Sequence, residues 1–130
     1  MYSIERTTYG FRLTFGGKIP KAEMAAWVGE STAALAGVVD KFGVFVDMRE
    51  LQVLDADAQA EMKKGQVAYK TAGMERSVVI LANPVVTMQF KRIARETGID
   101  AWERYLDASS TPTWEQVGVA WVERGVDPGK

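Results

Sequence analysis

The run Gly43-Val44-Phe45-Val46-Asp47-Met48-Arg49 constrains the fold of this chain more than any other stretch. Its apolar core is too short for a helix and too continuous for a strand with one wet face. It therefore predicts a central strand at 43–48, buried on both sides. Such strands belong to sheets covered by helices, where ligands and partners gather at the carboxyl ends of the strands. Asp47, Arg49 and the residues after them are expected to mark the working surface.

The flanking patterns complete an α/β order. Tyr2, Ile4 and Arg6 alternate with Ser3, Glu5 and Thr7, and the alternation resumes after Gly10 as Phe11, Leu13 and Phe15. This predicts a hairpin turning at Gly10, whose backbone freedom suits a tight turn. Pro20 fits a first helical turn, and Met24, Trp27, Val28, Leu35, Val38, Val39 and Phe42 follow at helical spacing, so a long amphipathic helix is expected over 20–41. A second helix begins near Asp55 with Ala58, Met62, Gly65, Tyr69 and Ala72 on one face. Residues 77–82 read as a second buried strand, Asn83-Pro84 as the start of a third helix ending at Gly98, and 100–107 as a half-exposed edge strand. Trp114, Val117, Gly118 and Trp121 restore helical spacing at the end. The order β-β-α-β-α-β-α-β-α predicts a mixed sheet: an opening hairpin, then parallel strands joined by helical crossovers.

Composition bounds the chemistry. The 130 residues, 47% hydrophobic and 25% charged, suit one soluble domain over 1–130 with a loose tail at 126–130. Sixteen Lys and Arg against seventeen Asp and Glu give a net charge of -1, without the positive field that nucleic acid requires. The absence of Cys and His removes thiolate chemistry, zinc-thiolate sites and the usual base near neutral pH. No metal and no cofactor are expected, and the reading is not that of an enzyme. The first residues lack the basic and long apolar regions of a secretory signal, and no apolar run approaches the ~20 residues that span a bilayer. A cytoplasmic protein, not integral to a membrane, is the expectation.

The opening hairpin, long first helix, strand ending in Val46-Asp47-Met48-Arg49, and short edge strand before a final helix resemble the SpoIIAA-like superfamily. That group includes STAS domains, the anti-sigma-factor antagonists, and an STAS-like branch of small bacterial proteins grouped by fold with lipid-binding CRAL-TRIO domains. The antagonists carry Asp-Ser-Ser-Gly before the second helix, and phosphorylation of a serine there releases a partner kinase. The matching stretch is Leu54-Asp55-Ala56-Asp57-Ala58, where Asp55 keeps the aspartate while Ala56 and Asp57 replace the serines. The resemblance implies the fold and an interaction role without that phospho-switch.

Read from chemistry alone, Asp55 is an N-cap and Asp57 a carboxylate in the first helical turn, where the helix dipole favours it. A second carboxylate exceeds what one cap needs, which leaves Asp57 as a charge for a partner to read. Asp47, Arg49, Glu50, Asp55 and Asp57 lack the spacing of a calcium loop, and an Arg49–carboxylate pair accounts for part of them. Gly65 invites close approach by the sheet or a partner. Lys91, Arg92 and Arg95 form a small basic face on the third helix.

The expected function is a non-catalytic regulatory or protein-interaction module. It binds another protein, and itself as a homodimer, around the second helix through Asp47, Arg49, Asp55, Asp57, Met62 and Gly65. Val85 and Met88 lie beside the main apolar face of the third helix and join that reasoning. The alternative is a carrier of a small apolar or lipid-like ligand, held in a pocket formed by Trp102, Trp114 and Trp121.

Overall fold

The computed structural model describes residues 1–129. β1 (Tyr2–Arg6) and β2 (Gly10–Gly17) form the antiparallel hairpin, with Tyr2 opposite Phe15 and Arg6 opposite Phe11. β3 (Phe42–Leu51), β4 (Met74–Leu81) and β5 (Glu103–Asp107) then add in parallel, so the five strands lie in the sheet in chain order. Each parallel step requires a crossover. α1 (Lys21–Leu35), α2 (Ala56–Ala72) and α3 (Pro84–Thr97) supply the three, and α4 (Trp114–Arg124) closes the fold.

The pleat of β3 explains why both faces of the sheet are buried. Val44, Val46 and Met48 point into a core with Phe11, Leu13 and Phe15 of β2 and the apolar faces of α1, α2 and α3. Phe45 points the other way, joining Val78, Ile80 and Leu106 beneath Trp121 and Val122 of α4. The expected α/β architecture, with its hairpin and parallel crossovers, is present.

Several boundaries differ for local reasons. α1 stops at Leu35 instead of running to 41, because the Ala36 N–H bonds back to Ala33 O, tightening the last turn before Gly37. Val39 is consequently 92% exposed, and Phe42 belongs to β3. β3 extends past 48 because Gly16 and Gly17 of β2 pair with Glu50 and Leu51. β4 starts at Met74, directly after the Gly73 cap of α2. β5 starts only at Glu103, since the Trp102 and Glu103 N–H groups both turn back to Ile99 O. The edge strand is also less exposed than its charges suggest: Glu103 and Arg104 are buried.

The packing of α1 on α2 is settled by an aromatic group. The Trp27 ring stacks on Tyr69 with centroids 5.9 Å apart and meets the edge of Phe15 at 5.1 Å. Tyr69 donates to Ser31 Oγ at 2.9 Å. Burial pushes the Tyr69 phenol up to about 12, with the Ser31 contact opposing part of that rise.

The tail after Arg124 has no regular structure, yet it is not free over the described residues. Asp127 accepts from Arg104 Nε at 2.8 Å and Nη2 at 3.0 Å, tying the tail to β5. Lys130, part of the expected loose tail, lies outside the described residues.

Candidate functional site

In the second half of β3, four residues before its end, Asp47 projects to the α4 side and accepts from Arg49 three times: from the backbone N–H at 3.1 Å, Nε at 3.0 Å and Nη2 at 2.9 Å. Burial alone would raise the Asp47 carboxyl. The side-chain and backbone hydrogen bonds and the charge of Arg49, helped by Arg12, outweigh it and hold the carboxyl below its ordinary range. The Arg49 guanidinium also lies 4.2 Å from the ring centroid of Trp114, at the start of α4. Arg12 of β2 repeats the arrangement, 4.5 Å over the Phe45 ring and bonded to Glu115 Oε2 at 2.6 Å. Two sheet arginines thus clamp the first turn of α4. Asp47 and Arg49 are brought together, and their groups are committed to each other and to that helix.

The β3–α2 loop forms a second arrangement. Asp55 caps α2 by accepting from the Ala58 N–H at 2.8 Å. Asp57 is exposed in the first turn. Gln89 of α3 locks the loop from the side: its Oε1 accepts from the Leu54 N–H at 3.0 Å while its Nε2 donates to Leu54 O at 3.0 Å. Val53 precedes that anchored residue, Met88 precedes Gln89, and Val85 lies one turn before Gln89. All three are exposed, by 49%, 71% and 53%. Arg92, one turn after Met88, is exposed and bonded to Gln59.

Met62 and Gly65 stand elsewhere. Both are buried, and a Cβ at residue 65 would meet the Trp27 ring, so the small-residue face of α2 packs on α1 and the core instead of meeting solvent. A face that reads as thin from α2 alone is filled by a tryptophan from another helix.

The three late tryptophans do not share one pocket. Trp114 and Trp121 lie with α4 on the second core, whereas Trp102 packs against the first. Trp121 Nε1 donates to Ser77 O at 2.9 Å. An internal cavity of about 30 Å³ does exist within the first core, lined by Leu13, Met62, Gln66, Tyr69, Ser77 and Glu103 among others, but by none of these tryptophans.

Glu103 was not singled out by sequence, although it is the most perturbed carboxyl in a cleft. It is 4% exposed, and its Oε2 accepts from the Tyr105 hydroxyl at 2.9 Å. Burial pushes its carboxyl up to about 7, against the opposing hydroxyls of Tyr105 and Ser77; Asp100 adds to the rise. The same burial and the neighbouring Glu103 raise the Tyr105 phenol. The signal available was the alternation Glu103, Tyr105, Asp107, which puts all three on one face of a strand.

Among the described residues, no three His, Cys, Asp or Glu are grouped to hold a metal ion, and no helix is long and apolar enough to cross a membrane. Comparisons with protein-family models, with curated proteins and with solved structures give no match.

Proposed function

We propose that this chain is a non-catalytic, STAS-like regulatory module of the bacterial cytoplasm. It works by binding protein, beginning with a second copy of itself, through the β3–α2 loop and the first turns of α3. The observation that carries this reading is the double hydrogen bond between Gln89 and the Leu54 backbone, at 3.0 Å each. It fixes the exposed Val53, Val85 and Met88 beside the Asp55–Asp57 turn, and a held apolar patch with a charged rim favours association. Asp57 in the first turn of α2 and Arg92 on α3 supply charges of both signs beside the patch. The turn offers Ala56 and Asp57 where the antagonists carry serines, so its charge is permanent. The carrier reading draws less support, because the internal cavity of about 30 Å³ is far below the ~300 Å³ of a small-ligand site.

The test is light scattering over a roughly 100-fold dilution, for wild type and for the Val85→Lys, Met88→Lys double variant. A wild-type dimer that dissociates on dilution, with a variant that is monomeric throughout and melts at an unchanged temperature, is expected. A wild-type monomer at every concentration sinks self-association, and equal dimerisation by the variant moves the interface elsewhere.

A further inference from the structure

On the opposite flank from the β3 side of α3, a trough runs between α3 and the edge strand β5. Pro84, Thr87, Lys91 and Arg95 recur at spacings of three and four and form its helical wall, while Glu103 and Tyr105, two apart on β5, form its strand wall. It consists of two hollows of about 280 and 210 Å³ that share Lys91 and Tyr105. The first alone, at about 280 Å³, is close to the lower end of small-molecule sites, which run from roughly 300 to 1,000 Å³. The first hollow lies at the carboxyl ends of β4 and β5, where open α/β sheets bind ligands, and the second continues along the edge to Glu103 at the amino end of β5.

The two hollows differ in chemistry. The first is lined by Leu81, Pro84 and Thr87, with Tyr105 on the strand side and Asp107 at its end. The second has the ammonium of Lys91 and the guanidinium of Arg95, one helical turn apart, with the carboxyl groups of Asp100 and Glu103 lining its other side. Lys63 and Arg92 nearby are paired with Glu96, but no carboxylate of the described residues lies within ion-pair distance of Lys91 or Arg95. Lys91 instead sits 5.4 Å from the Tyr105 ring centroid, on the wall the hollows share.

We propose that this trough binds a small organic monoanion with a flat apolar body, its charged group between Lys91 and Arg95 and its body along Tyr105 toward Leu81 and Pro84. Glu103 forms the floor and favours this occupant only while it holds its proton, as a neutral group instead of a repelling one. The charged or titratable groups around it are Tyr105 beside it on β5, Asp100 in the preceding turn, Lys91 and Arg95 on α3, and Tyr69 of α2 across the cavity that Glu103 also lines. Asp107 at the other end is occupied by the backbone N–H and hydroxyl of Ser109, at 2.9 and 2.6 Å. This site is independent of the self-association surface.

The experiment is an NMR titration of the intact chain with benzoate, with benzamide as its uncharged counterpart and inorganic phosphate as an anion without the apolar body. Saturable shifts centred on Lys91, Arg95 and Tyr105 are expected with benzoate, and markedly weaker ones with the other two. The Lys91→Ala, Arg95→Ala variant should bind benzoate about tenfold more weakly or worse, with its melting temperature preserved. Benzoate affinity should also fall from about pH 6 to about pH 8, and Glu103→Gln should abolish that fall. The proposal is overturned if benzoate gives no saturable shifts, if benzamide binds equally, or if the double variant binds benzoate as well as wild type.

Discussion

The Trp27 ring lies where a side chain at Gly65 would stand: a Cβ there would be 2.0 Å from Cζ3 and 2.3 Å from Cη2 of the indole. Glycine inside a helix ordinarily costs about 1 kcal/mol against alanine. At residue 65 that cost is offset by the close passage of α2 over the aromatic group. Gly65→Ala should destabilise by about 1 to 3 kcal/mol, because the indole must shift against Phe15 and Tyr69. Gly29→Ala on exposed α1, where nothing lies within 4 Å of the added carbon, should stabilise by about 0.5 to 1 kcal/mol. Denaturant melts of the two variants test the contrast; equal effects would deny the packing role.

Arg49→Met should cost about 1 to 3 kcal/mol, since it removes two of the donors to the buried Asp47 and the cation over Trp114. It should also change the acid limb of stability. The Asp47 carboxyl is held low in the folded protein, so its contribution is present above the unfolded value of 3.8 and is lost as pH falls through the folded one. Without Arg49 that dependence should flatten, as stability curves below about pH 5 would reveal.

What the sequence made legible was periodicity. The doubly apolar run at β3 and the Asn83-Pro84 start of α3 depend on local chemistry, and both are present as expected. The extent of α1 was not legible, because Val38, Val39 and Phe42 continue a helical spacing that the turn after Leu35 ends. The site was legible in part. Asp47 with Arg49, and Asp55 as a cap, follow from short-range chemistry, two and three residues apart. The burial of Met62 and Gly65 beneath Trp27, the tie from Leu54 to Gln89 and the trough at Glu103 need pairings across 30 or more positions or the layout of the sheet, which no local pattern carries.

Asp55 and Asp57 should separate stability from recognition. Asp55→Ala removes the acceptor of the Ala58 N–H and should cost about 0.5 to 2 kcal/mol. Asp57→Asn loses only a favourable charge near the helix dipole, about 0.3 to 1 kcal/mol. If the charge of Asp57 is read by a second copy, this milder change should weaken the dimer more than Asp55→Ala does. Sedimentation and thermal melts on the same samples check the ordering, and an unaltered dimer with Asp57→Asn confines that carboxylate to its helix.

Glu103 should give the protein a stability that declines toward neutral pH. The folded chain keeps the carboxyl proton up to about 7, whereas the unfolded chain releases it near 4.5, so between these values the folded state binds more protons. The contribution is therefore full below about 4.5, shrinks through the window, and is gone once pH passes 7. The size of the loss is on the order of 3 kcal/mol, from the separation of the two values. Glu103→Gln keeps a polar group of similar shape that cannot ionise, and it can still accept from Tyr105. The variant should follow wild type at acid pH and exceed its stability above pH 7, with a flatter course between. Urea melts at intervals from about pH 4 to about pH 8 measure this difference directly. Parallel curves for the two proteins would mean that Glu103 ionises freely in the folded chain, and that its burial among Tyr105, Ser77 and Asp100 sets no proton affinity.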